Sequence, residues 1–101
     1  MKEKIESFLI KNNFNPSLKG FPYIVSCIEY MLENKIVPSE ISVCKELYVE
    51  AAKKHNANPS SVDRCIRSSV YEAHYKDAQG LTPSNSKFLG ILYYSVKNEV
   101  L

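Results

Sequence analysis

No apolar run in this sequence approaches the ~20 residues that a membrane helix needs. Its opening Met-Lys-Glu-Lys leads into no signal-type apolar stretch. A cytoplasmic protein without a membrane partner is the expectation. Cysteine is sparse: Cys27, Cys44 and Cys65 are odd in number, widely spaced and set in apolar or helical sequence. With no CxxC pair and no Cys/His cluster, neither a zinc site nor a disulfide framework is indicated. Reduced cysteines acting as small buried hydrophobes are expected instead. Histidine is equally scarce, and His55 and His74 stand too isolated for metal binding or nucleophilic catalysis. They are read as a turn residue and a helix-surface residue. A glycine-rich phosphate loop is missing, as are paired carboxylates at a plausible cleft. Enzymatic chemistry, a cofactor and a small-molecule substrate are therefore not expected. The net charge of +2 permits nucleic-acid binding without arguing for it, so the case turns on where the charges fall.

What is present is the composition of an ordinary globular domain. The chain has 101 residues, 45% of them hydrophobic and 24% charged, enough for one core without metals or disulfides. Internal repeats and low-complexity tracts are absent. Pro16, Gly20, Pro22, Pro38, Pro59, Gly80 and Pro83 cut the chain into pieces of helical length, none with sustained two-residue alternation. A short amphipathic helix is predicted over Glu3–Lys11, with Ile5, Phe8 and Leu9 on one face, ended by Asn12-Asn13-Phe14-Asn15-Pro16. A second follows Gly20, where Ile24, Val25, Ile28, Met31 and Leu32 recur at three- and four-residue steps; Asn34 to Pro38 connects it onward. A third runs from Ser42 or Cys44 to His55, with Val43, Leu47, Ala51, Tyr48 and Ala52 inward and Lys53-Lys54 at its negative end. Asn58-Pro59 is a strong cap and first-turn pair, so a fourth helix should begin sharply there and run to about Tyr75. A last helix starts at Thr82-Pro83-Ser84-Asn85 and carries Phe88, Leu89, Ile91, Leu92 and Val96. The fold class is all-α, five to six helices, read as one domain over residues 1–101. Most of the seven tyrosines are expected to be half-buried packing residues.

Helices three and four, joined across residues 55–58, have the elements of a helix-turn-helix. In the fourth, Val62, Ile66, Ser69, Val70 and Ala73 form an inward stripe. Ser60, Ser61, Asp63, Arg64, Arg67, Ser68 and Tyr71 are left for the surface. Residues 60, 64, 67 and 71 stack along one face, because three- and four-residue steps nearly complete whole turns. The chain's two arginines, Arg64 and Arg67, both lie there. An arginine fork can pair with two acceptors on guanine or phosphate, whereas lysine acts more as a point charge. The plain alternative is that both are solvated, or pair with Asp63 or Glu72. Ser84-Asn85-Ser86 either caps the last helix or binds a phosphate there, capping being the commoner role of such a cluster; Asn85 is carried forward as a candidate DNA contact.

Leu47-Tyr48, Ala52-Lys53-Lys54, Asn56 and Ser60-x-Val62-Asp63-Arg64-x-Ile66-Arg67 resemble the helix-turn-helix of a known family, the C-terminal effector domain of the stage-zero A sporulation transcription factor. Lys19-Gly20-Phe21-x-Tyr23 is similar to that family's Lys-Gly-aromatic-x-Tyr segment, and Pro83-Ser84-Asn85-Ser86-Lys87-Phe88 to its Pro-Thr-Asn-Ser-Glu-Phe segment. The resemblance covers nearly the whole chain and implies a helical domain that binds promoter DNA as the output half of a phosphorelay response regulator. It implies double-stranded DNA as partner, a homodimer on that DNA, and a recognition helix over residues 58–75 with Asp63, Arg64 and Arg67 at the DNA. Arg64 is assigned to a base, guanine, and Arg67 to the backbone. Ser60 and Ser61 donate to phosphate from the first turn, Asp63 accepts from cytosine or holds Arg64, and Tyr71 approaches a phosphate as the helix leaves the groove. Lys53 and Lys54 supply contacts that do not depend on base sequence.

Departures from the family pattern narrow this. Ser61 stands where the family has an arginine, Ser68 where it has a histidine, and Lys87 where it has an acidic residue. The stretch from Lys76 to Thr82 is about a dozen residues shorter than the family's, which has another short helix there and its usual head-to-tail dimer contact. No phosphorylatable receiver aspartate can be argued. A second reading, of a different class, is therefore a receiver-less protein-interaction module that modulates a full-length regulator without reading DNA.

Overall fold

The computed structural model describes residues 2–36 and 43–98, the side chains of Val43 and Cys44 excepted. The expectations for Pro38, Val43 and Cys44 therefore lie outside the described residues. Five helices follow in order: α1 Lys2–Lys11, α2 Gly20–Asn34, α3 Val43–Lys54, α4 Pro59–Glu72 and α5 Asn85–Asn98. Among the described residues there is no strand, and no helix is long and apolar enough to cross a membrane.

The central element is α2. Nine of its 15 residues are buried, too many for one amphipathic stripe, so it must be covered on several sides. It packs on every other helix. Ile24, Ile28 and Met31 from α2 meet Leu47 and Ala51 of α3, Val62, Ile66 and Val70 of α4, and Phe88, Leu92 and Val96 of α5 in one core. Left-handed residues stop the helices: Asn13 lies at φ 69° beyond α1, Lys35 at φ 53° beyond α2, and Asn56 at φ 54° beyond α3. At Asn56 the chain turns back so that the Ala57 N–H reaches the Ala52 carbonyl at 2.9 Å. That bond satisfies an end carbonyl of α3 and closes the turn that carries the chain to α4.

The expected helix over residues 58–75 ends earlier, at Glu72. His74 is not on a helix surface: it adopts φ 56°, and the Tyr75 N–H returns to the Val70 carbonyl at 3.3 Å. The reason lies in Tyr75. A continued helix would place it ~200° round from the buried Ala73, away from the core. Leaving the helix at His74 instead brings its ring to 5.1 Å from Phe88, edge-on, and 6.1 Å from Phe14.

Asp77 orders the short connection to α5. Its Oδ1 accepts from the N–H groups of Gln79 and Leu81, its Oδ2 accepts from Lys87 Nζ at 2.7 Å, and Gly80 supplies the φ of 78° that the turn needs. The Lys87 hydrogen bond, followed by that from the Leu81 backbone, holds the Asp77 carboxyl below its ordinary range. A carboxylate with a folded-state pKa below its unfolded value stabilises the fold above the ordinary carboxylate range. That contribution is lost as pH falls through the depressed value. Asp77→Asn should therefore be less stable than the native chain in urea near neutral pH, and the gap should close as pH falls below the ordinary carboxylate range and through the depressed value. A gap of the same size at neutral and at acid pH would contradict the role of the charge.

Candidate nucleic-acid interface

The site begins with the cap. Asn58 is extended at φ −115°, and its Oδ1 accepts from the Ser61 N–H at 2.9 Å. Pro59 follows with no N–H to leave unsatisfied. The Val62 N–H goes to the Asn58 carbonyl at 3.1 Å. This leaves Ser60 as the first-turn residue whose N–H has no partner among the described residues. Of the two serines expected to meet phosphate, Ser60 thus keeps a free backbone donor as well as an exposed side chain, whereas Ser61 is half-buried and its N–H is taken by the cap.

From this start α4 buries Val62, Ile66, Ser69 and Val70 and turns its other side outward. Ser60, Arg64, Arg67 and Tyr71 are all exposed, Tyr71 at 61%, and their spacing aligns them along one face. Ser68 is exposed beside them. Arg64 makes no hydrogen bond or ion pair among the described residues, so its whole fork is available. Arg67 is held: its Nη2 donates to Asp63 Oδ2 at 2.6 Å, one turn back along α4. Asp63 therefore holds Arg67 and not Arg64, as four-residue spacing favours over adjacency.

Two further basic residues, neither expected at the DNA from sequence, flank this face. Lys19, just before α2, lines a groove with Arg64, Cys65, Ser68 and Glu72. Lys45, at the start of α3, lines another with Tyr48, Pro59, Ser60 and Asp63. Neither lies near α4 in sequence, and only the packing of α2 and α3 on α4 brings them there. Lys53 and Lys54 are placed elsewhere. Both line a cleft between α2 and α3 with Glu29, Glu33 and Glu50. Lys53 stands 3.7 Å from Glu50, and Lys54 3.5 Å from Glu29. Among the described residues Lys19, Lys45 and Arg64 make no ion pair, whereas Lys53 and Lys54 stand among the carboxylates of the α2–α3 cleft.

Asn85, carried forward as a candidate DNA contact, faces inward. It is 7% exposed, and its amide N–H groups are used on Asp63. Ser84 caps α5 in its place: its Oγ accepts from the Lys87 N–H at 3.3 Å and its carbonyl from Phe88 at 2.8 Å. His55 is the turn residue expected; its Nε2 is hydrogen-bonded with Ser26 Oγ at 2.7 Å, and its ring meets that of Tyr23 edge-on at 5.2 Å. Cys27 is buried and Cys65 half-buried. Among the described residues no three His, Cys, Asp or Glu side chains converge into a metal-binding group.

A compact helix-turn-helix whose second helix presents an unpaired arginine between lysines has the form of a DNA-reading surface. Comparison with protein families agrees with that form. The model described as sporulation initiation factor Spo0A C terminal matches residues 5–83, from α1 through the whole of α4 to the approach of α5.

Proposed function

Since this chain belongs to the sporulation initiation factor Spo0A C-terminal family, a family of DNA-binding transcription regulators of sporulation, we propose that it binds duplex DNA with α4 in the major groove. Arg64 carries this reading. It is exposed and unpaired at the middle of the outward face, where a fork can reach the O6 and N7 acceptors of guanine. Arg67, Tyr71 and Ser60 face the same way and serve the backbone, which sets register. Lys19 and Lys45 lie on the two flanks, where the phosphate strands bordering a groove would run. Lys53 and Lys54, beside Glu50 and Glu29, contribute less to phosphate binding than Lys45.

The test uses a duplex selected by the chain from a random pool and a scrambled duplex of the same length. Arg64→Ala should cost ~1–3 kcal/mol on the selected duplex and little on the scrambled one. Lys45→Ala should weaken both alike and reduce the salt slope by about 1. Equal losses on both duplexes from Arg64→Ala would remove it from base reading. Absence of salt-dependent binding by the native chain would favour a protein-interaction module.

A further inference from the structure

Asn85 is buried yet points at the recognition helix from a different element. Its Nδ2 donates to the Asp63 backbone carbonyl at 2.9 Å and to Asp63 Oδ1 at 3.0 Å. The second carboxylate oxygen, Oδ2, accepts from Arg67 at 2.6 Å. Asn85 Oδ1 is buried without a partner, which is an unfavourable arrangement for an amide. The side chain therefore takes its orientation from what its N–H groups do for Asp63, not from satisfaction of its own acceptor. The three groups form a chain that starts inside the domain at the first turn of α5 and ends on the outward face of α4. Asn85 lies beyond the residues that the family model matches.

We infer that Asn85 is a positioning residue for DNA recognition: it fixes the Asp63 carboxylate, and through it presents the Arg67 guanidinium to the DNA already oriented. The inference rests on the reading of α4 as the DNA-facing helix. Two hydrogen bonds from one amide pin both the backbone and the side chain of Asp63, so the carboxylate keeps a single direction. An exposed arginine tied to a fixed carboxylate has less rotamer freedom to lose when it meets a phosphate. One edge of the fork stays on Asp63 while the other donors remain free. Through this chain α5, which contributes no side chain to the outward face of α4, sets the geometry of a contact made there.

A mutant cycle on the full chain tests it, with affinity for the selected duplex as the readout. Asn85→Ala should weaken binding about three- to tenfold, and in an Arg67→Ala background the same change should cost less than about twofold. A merely structural role for Asn85 would give equal losses in both backgrounds, and that result would overturn the inference. Should Asn85→Ala fail to fold, Asp63→Asn keeps the shape and an acceptor for Asn85 while removing the charge that holds Arg67. Its effect should likewise vanish in the Arg67→Ala background. Guanidinium NMR relaxation on the free protein gives a readout independent of DNA. Arg67 should be restricted in the native chain and freed in Asn85→Ala, and unchanged motion would again overturn the inference. If Arg64→Ala separates the selected from the scrambled duplex while the cycle shows no coupling, the positioning role fails and groove reading stands. If the native chain binds no duplex, both fall.

Discussion

Phe88→Ala is expected to destabilise the domain by ~3–5 kcal/mol, the range for truncating a fully buried aromatic. Phe88 is 0% exposed. Its ring stacks on Phe14 at 5.1 Å and 23°, and Tyr75 meets it edge-on at 5.1 Å and 78°. Three connections depend on that cluster. Phe14 holds the segment leaving α1, Tyr75 the segment leaving α4, and Phe88 the first turns of α5. Their rings cannot collapse into the space of a lost phenyl group without moving the backbone segments that carry them. Set against a total stability of ~5–15 kcal/mol for a domain, the loss should leave a chain that unfolds early in urea. At ~4–8 °C per kcal/mol for a domain of this size, Tm should fall by at least about 12 °C. A fall of only a few degrees would mean that the cluster repacks and that α5 is held mainly by Leu89, Leu92 and Val96.

Gly20→Ala is expected to be the next most damaging change, for the opposite reason. A Cβ at Gly20 would lie 2.1 Å from Ser69 Oγ, 2.3 Å from the Cys65 carbonyl oxygen and 2.9 Å from its carbon. Ser69 Oγ is the end of a side chain and could rotate. The Cys65 carbonyl belongs to the backbone in the middle of α4 and cannot. The start of α2 must then move off α4. Overpacking of this kind costs ~1–3 kcal/mol, occasionally more, against the ~0.5–1 kcal/mol by which alanine favours a helix over glycine. We expect a net loss that thermal unfolding reads as a lower Tm, and weaker binding to the selected duplex beyond what instability explains, because the displaced neighbour is the DNA-facing helix. A Tm at or above that of the native chain would show that the close approach is relaxed at no cost.

Much of this was readable from residue types. Asn58-Pro59 announces the start of α4 because an extended cap and a residue without an N–H have few other common placements together, and the three- and four-residue steps of Val62, Ile66 and Val70 fix its buried side. The end of α4 was not readable. Histidine rarely adopts a left-handed φ, and Tyr75 looks like one more helical residue until the core it must reach is known. The placement of Asn85 was not readable for a related reason, since the Ser84-Asn85-Ser86 cluster offers three capping candidates. Sequence cannot say that Ser84 takes the cap and Asn85 turns inward to Asp63. The Asp63–Arg67 pair could have been anticipated from four-residue spacing alone. Lys19 and Lys45 could not, because their place beside α4 depends on how α2 and α3 cross it.

The measurement that bears most directly on α4 as the groove-reading helix is methylation protection on a duplex the chain has selected. Guanine N7 lies in the major groove, where Arg64 would meet it. The native chain should shield guanine N7 from methylation by dimethyl sulfate at its site, and Arg64→Ala should lose that shielding at one guanine while the rest of the footprint persists. Unchanged N7 methylation throughout the bound site would contradict the account.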